Sequence, residues 1–369
     1  MGENNLYKPI SVGRVNLEHR LVLAPLTRFR AEDDHSPNAM MTEYYRQRAS
    51  IPGTLLITEA TLPSERAGLM ANVPGVWTEK HIKGWKEISD AVHSKGSSIF
   101  MQIWALGKAG SKKMLEERGY DYVAPSAVKP IMANVRTGEH ETPRAMTKAE
   151  IKQFVQDFAQ GAKNAVAAGM DGVEIHGAHG YLVNQFFDAF SNERTDEYGG
   201  SIENKCRFLF EVVDAVIDAI GADRTALRLS PWLNAMVCNY DISPIPIFSY
   251  IITELERRAQ NGHRLAYLHI VEPRVEGTID ARKVVGSNDW VRYIWTGTIV
   301  RAGGYEKELA EQHAAQDDNT LIAFGRRYIP NPDLPVKIEK SIPLTPYNRK
   351  TFYSPGPEGY ITYKPTANL

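Results

Sequence analysis

The run His176-Gly-Ala-His-Gly-Tyr181 sets two imidazoles and a phenol within six residues. Two imidazoles can donate paired hydrogen bonds to one carbonyl oxygen, which draws electrons from an adjacent carbon–carbon double bond. A phenol, protonated at neutral pH, can then supply a proton to the carbon left electron-rich. With Glu174 the same imidazoles could instead ligate a metal. A zinc-protease helix needs His-Glu-x-x-His, however, and here the order differs while Gly177 and Gly180 interrupt any helix, so no metal is expected.

Other residues of chemical interest fall at or near the ends of apolar runs. Thr27, Gln102 and Arg228 offer a hydroxyl, an amide and a permanent cation, a set that suits a flat heteroaromatic ring with carbonyls and ring nitrogens. Each also has an ordinary use: Arg228 could pair with a carboxylate inside the fold, and Gln102 could tie down a loop. Gly303-Gly304 and Gly325-Arg326 have the parts of a phosphate cradle, accessible backbone N–H groups and a guanidinium. The plainer alternative is that the glycines turn the chain and Arg326 is a solvated charge. Glu59 and Glu174 raise the possibility of a two-carboxylate glycosidase. Against it, Glu174 sits inside its strand, and sugar hydrolysis has no use for a phosphate cradle. A barrel that binds a flavin without turnover is a third alternative.

The elements that must position these groups alternate regularly. Strand-like runs occur at Leu21 to Ala24, Thr54 to Thr58, Ser98 to Met101, Gly172 to Ile175, Ala226 to Leu229, Leu265 to Ile270, Thr298 to Val300 and Leu321 to Phe324. Helical spacing appears at Met40 to Arg48, Thr78 to Ser94, Thr147 to Ala168, Ile202 to Ile220 and Ile245 to Ala259, with Thr147 and Glu150 as a capping box. This alternation predicts an α/β fold, a (β/α)₈ TIM barrel, read as a single domain over residues 1–369. Residues 7–20 read as an N-terminal hairpin that plugs the lower end. Residues 108–141, after the third strand, are too long for an ordinary connection and read as a lid or inserted substructure. Residues 272–297 fit no element. In this scheme His176, His179 and Tyr181 share one strand-to-helix loop.

The chain has 369 residues, 43% hydrophobic and 24% charged, with a formal net charge of −1. Without a basic block it has no footprint for nucleic acid or an anionic membrane, so a small-molecule partner is expected. Cys206 and Cys238 are too few for a disulfide framework, which fits a reducing, cytoplasmic setting. No secretory signal region or membrane-length apolar run is visible. Ala367-Asn-Leu369 shares only its final Leu and a small first residue with a peroxisomal signal.

Taken together, the motifs resemble the Old Yellow Enzymes, FMN-dependent ene-reductases built on a (β/α)₈ barrel. The likeness spans nearly the whole chain. It rests on Ala24-Pro-Leu-Thr-Arg28, Leu56-Ile-Thr-Glu-Ala60, Pro74-Gly-Val-Trp77, Gln102-Ile-Trp104, Gly172 to Tyr181, Asn184-Gln-Phe186, Asn192 to Asn204, Leu227-Arg-Leu-Ser-Pro231, Ala302-Gly-Gly304, Phe324-Gly-Arg326, Pro332-Asp-Leu334 and Phe352-Tyr353. The resemblance implies that Pro25, Leu26, Thr27, Ala60, Gln102, His176 and Arg228 line the FMN ring, and that Gly303, Gly304, Gly325 and Arg326 hold its phosphate. It implies that His176 and His179 bind the substrate carbonyl, that Trp104 lies beside the substrate and that Tyr353 closes the pocket. NADPH would reduce FMN, after which flavin N5 would give hydride to the β carbon of an enone or enal while Tyr181 protonates the α carbon. Arg48-Ala-Ser-Ile-Pro-Gly53 looks most like fungal natural-product members, including the ergot-alkaloid ones. In such enzymes the proton-donor tyrosine accompanies net reduction, and double-bond isomerisation or an atypical redox step is the alternative. Monomer or homodimer is open. Met70 and Trp232 depart from the family's usual residues and are expected to reshape the substrate pocket.

Overall fold

Eight short apolar runs pair in parallel and close on themselves. They are β1 (Leu21–Leu23), β2 (Leu55–Ile57), β3 (Ser98–Ile103), β4 (Gly172–His176), β5 (Thr225–Leu229), β6 (Tyr267–Val271), β7 (Ile299–Ala302) and β8 (Thr320–Phe324). Each strand pairs with the next in sequence, and β8 pairs with β1, so the sheet is a closed barrel. The computed structural model describes residues 4–134, 136–232, 243–276, 279–281 and 283–366. Cys238, most of the segment 233–244 and Ala367-Asn-Leu369 lie outside the described residues.

A parallel sheet covered on both faces needs apolar side chains on both, and its period of two sorts them. Leu21, Leu23, Leu56, Ile99, Val173, Leu227 and Ile322 face outward and join the core shared with the helices. Their neighbours Val22, Leu55, Phe100, Ala226, Val300 and Leu321 point inward and form a second cluster. The hairpin of Ile10–Val12 and Val15–Leu17 adds Val12, Val15 and Leu17 to that inner cluster, so it plugs the barrel as expected. Its turn depends on Gly13, at φ 55°, where a Cβ would fall 2.0 Å from the Asp223 carbonyl oxygen. Thr147 and Glu150 form the expected capping box at the start of the helix Lys148–Ala167. Among the described residues no helix is long and apolar enough to cross a membrane.

The strands outlast their apolar patterns. Gln102 lies inside β3, and His176 is the last residue of β4 rather than a loop residue. Tyr181 is the N-cap of a short helix, Leu182–Phe187, so only residues 177–180 form the turn between them. The pattern stops early because the last inward positions are polar, yet the ladder continues, pairing Gln102 with Glu174, His176 with Arg228 and Arg228 with His269. The insertion after β3 is a small substructure, as one reading held. It carries a helix, Lys112–Glu117, and a two-residue ladder joining Val123–Ala124 to Arg144–Ala145, so it closes at 145 instead of 141. Within 272–297 a short antiparallel ladder joins Val275–Glu276 to Ile279–Asp280, and a 3₁₀ turn follows at Asp289–Tyr293.

Candidate active site

A cavity of about 530 Å³ opens at the carboxyl ends of the strands. Residues in or just past each of the eight strands line it. One wall holds His176, His179 and Tyr181 with Trp104, and the inner side holds Pro25, Leu26, Thr27, Ala60, Gln102 and Arg228. The far end holds Gly303, Gly304, Gly325 and Arg326, and Tyr353 closes the set from the C-terminal segment. The structure thus brings every residue expected to hold FMN or the substrate carbonyl, with Trp104, Tyr181 and Tyr353, into one space.

On the first wall the His176 ring centre lies 5.4 Å from that of His179 and 5.0 Å from that of Tyr181. Trp104 packs edge-on against Tyr181 at 4.4 Å. His179 occupies the left-handed region at φ 58°, and its backbone N–H donates to Ser230 Oγ at 2.9 Å. The next peptide is held too, Gly180 N–H donating to Asn184 Oδ1 at 2.8 Å. Ala178 N–H donates to His176 Nδ1 at 3.3 Å, so that nitrogen carries the lone pair and Nε2 carries the proton. Burial first, and the Arg228 charge second, hold both imidazoles well below the usual histidine range. Burial also raises the Tyr181 phenol, with Tyr353 adding to it. The wall therefore presents neutral N–H and O–H donors.

Ala24, Ala60, Ala302 and Ala323 line the cavity with small side chains that leave it room. Gln102 Nε2 donates to Glu174 Oε1 at 2.7 Å, and the buried Nε of Arg228 makes no hydrogen bond. At the far end Gly303 and Gly304 have φ of 119° and 62°, which favour glycine, and a Cβ on Gly303 would sit 3.0 Å from Val275 Cγ2. Arg326 is not a free surface charge: it pairs with Asp280 and lies 3.4 Å from the Tyr347 hydroxyl.

Several lining residues escaped the sequence reading. Arg274 donates from Nε to the Gly303 carbonyl at 3.1 Å, while its buried Nη2 has no partner. It stands just past β6 as Arg326 stands past β8, but the aperiodic stretch around it hid that equivalence. Asp280, Tyr347 and Phe352 also line the cavity. Arg28 and Arg30 hold the C-terminal segment in place, both donating to the Phe352 carbonyl, at 3.0 and 2.9 Å.

Some expectations change. Met70 and Trp232 do not line the cavity, and Trp232 instead donates to Asn288 Oδ1 at 2.9 Å. Neither glycosidase carboxylate reaches the cavity. Glu59 is buried, accepts the Arg28 backbone N–H at 3.3 Å and is pushed up to about 7 by that burial. Glu174 is wholly buried against Gln102 and His269. Among the described residues no three His, Cys, Asp or Glu side chains are grouped to hold a metal ion.

Fold and cavity together define a parallel β/α barrel with its cavity at the carboxyl ends of the strands, the end at which barrel enzymes place their chemistry. Residues 5–345 match the model of the NADH:flavin oxidoreductase / NADH oxidase family, and the chain belongs to that family. It is similar to chanoclavine-I aldehyde reductase from Penicillium roqueforti, 44% identical over 97% of this chain and 95% of that protein. Enoate reductase 1 from Kluyveromyces lactis is 42% identical over 98% of this chain and 94% of that protein. The crystal structure of Old Yellow Enzyme from Pichia sp. AKU4542 superposes with a TM-score of 0.91 at 42% identity, covering 100% of this chain and 95% of that one. The chain is a flavin oxidoreductase of the Old Yellow Enzyme, ene-reductase type, which acts on small molecules with a nicotinamide reductant.

Proposed function

We propose that this chain, as one FMN-binding domain over residues 1–369, uses NADPH to reduce the activated double bond of an enone or enal. A role in fungal secondary metabolism is part of the proposal, supported by the likeness to the Penicillium reductase. So is a cytoplasmic monomer or homodimer, and the net charge of −1 supports the absence of nucleic-acid or membrane partners. One observation carries the reading: the His176, His179 and Tyr181 donors share a cavity with a glycine-lined, guanidinium-bearing end.

The residues fit FMN. Gly303 and Gly304 leave the backbone open beside Gly325 and the Arg326 guanidinium, a donor set suited to a phosphate. The Arg228 guanidinium and the Gln102 amide, both on the cavity lining, suit the carbonyls and N–H of a flat ring. Pro25, Leu26, Thr27, Ala60 and His176 supply the rest of that surface. When bound, FMN supplies the hydride, received from NADPH and passed to the β carbon of the alkene. His176 and His179 donate to the substrate carbonyl and draw electrons from the double bond. Trp104 and Tyr353 bound the substrate, and Tyr181 gives its proton to the α carbon. The Tyr181 hydroxyl supports net reduction over isomerisation.

The deciding experiment is anaerobic. NADPH should bleach the yellow protein, and a panel of enones and enals should restore the colour with stoichiometric loss of the alkene. A protein that bleaches yet is reoxidised by no alkene would overturn the reading. The phosphate assignment has its own test. Losing a charge-assisted contact should raise the FMN dissociation constant of Arg326→Ala roughly ten- to a hundredfold, measured by flavin fluorescence. Equal occupancy in variant and parent would count against it.

A further inference from the structure

Two of the cavity's ring-facing residues, Gln102 and Arg228, lead to a buried pair, Glu174 and His269, that the proposed reaction does not use. Gln102, Glu174, Arg228 and His269 come from four successive strands, and the ladder registers set them at adjoining levels of the barrel interior. Glu174 and His269 are both 0% exposed. One carboxylate oxygen of Glu174 accepts from Gln102 Nε2 at 2.7 Å, and the other accepts from His269 Nδ1 at 2.8 Å.

That geometry decides two things. A carboxylate only accepts, so the end of the Gln102 amide that meets Glu174 is the NH₂. The carbonyl oxygen is then the end left for the cavity, where it can accept from a ring N–H flanked by carbonyls. Glu174 also acts on Arg228, whose guanidinium it favours in the charged form while burial opposes it. His269 donates its Nδ1 proton to Glu174, and its buried Nε2 meets no partner. Burial holds that imidazole low and the Glu174 carboxyl stays below its usual range, so the pair carries one negative charge facing one positive charge on Arg228.

We propose that Glu174 is a positioning residue for the flavin: it fixes which face of the Gln102 amide looks into the cavity and tempers the Arg228 charge, thereby setting both FMN affinity and FMN reduction potential. The proposal rests on the reading that this cavity takes FMN. Its physical logic has two parts with separate signatures. An amide in place of the carboxylate can pair with Gln102 in either orientation, so the acceptor offered to the cavity is no longer fixed. An unopposed Arg228 cation beside the ring favours the electron-rich reduced form, so the potential rises.

Two variants separate the parts. Glu174→Gln keeps the volume and removes the charge. It should weaken FMN binding about tenfold by fluorescence titration and shift the reduced-to-oxidised ratio about tenfold toward reduced, or ~30 mV for a two-electron couple, against a dye of known potential. Glu174→Asp keeps the charge but withdraws it from Gln102, and should weaken FMN binding with the potential unchanged. Parental affinity and potential in both variants would overturn the proposal. If Glu174→Gln does not fold, the affinity of Glu174→Asp alone decides, and a value equal to the parent's overturns the positioning role. A parent protein that takes up no FMN would instead overturn the underlying reading, so the two failures are distinguishable.

Discussion

Tyr181→Phe should bleach with NADPH as fast as the parent and then lose roughly two to four orders of magnitude in the rate at which an enone restores the colour. The split follows from position. The phenol sits on the wall with His176 and Trp104, away from the glycine-lined end, and phenylalanine fills the same volume against the Trp104 ring 4.4 Å away. Cofactor binding and the reductive half therefore keep their contacts, and only the O–H is lost. Burial raises this phenol above its ordinary pKa, so it is fully protonated at neutral pH and reluctant to leave as a bare phenolate. Its use as a donor thus depends on strong demand from the α carbon, which the two imidazoles create by polarising the carbonyl. Stopped-flow measurement of the two half-reactions checks this, and an unchanged oxidative rate would remove Tyr181 from the donor role.

Much of this architecture was legible because a parallel barrel writes its strands as apolar runs. Leu21 to Leu23 and Leu55 to Ile57 are buried on both faces, so nothing in them contradicts a strand. The hydrophobic pattern fails where the barrel turns polar inside. Gln102, Glu174, His176 and Arg228 obey the ladder's register while breaking its hydrophobic pattern, which is why His176 was expected in a loop and is in a strand. Arg274 and Asp280 were invisible for a different reason: a two-residue ladder, Val275–Glu276 with Ile279–Asp280, is too short to leave a periodic signal. Met70 and Trp232 misled because departure from a family's usual residue says nothing about where the side chain points. Thr27, Gln102, His176 and Arg326 emerged early since each is a polar group placed just where an apolar run ends, a position that burial alone does not explain.

The paired imidazoles carry the other large effect. Replacing both His176 and His179 by alanine should cost at least the roughly 10²–10³ in rate associated with losing one such donor, while FMN reduction by NADPH persists. Their protonation state makes the prediction sharper. Both are held well below 6.5 by burial and by Arg228, so lowering the pH from 9 to 6 leaves them neutral, and Tyr181 stays protonated across the same window. The oxidative half-reaction should therefore be flat over that range, whereas donors acting as imidazolium would make it fall as pH rises through 6.5. The same depression has a consequence for folding. A histidine that resists protonation in the native state binds fewer protons there than in the unfolded chain, so its contribution to stability is full above 6.5 and is lost as pH falls below it. Urea midpoints measured between pH 7 and 5 should consequently drop more steeply for the parent than for the double variant, and parallel curves would show that the two rings are not held neutral by their surroundings.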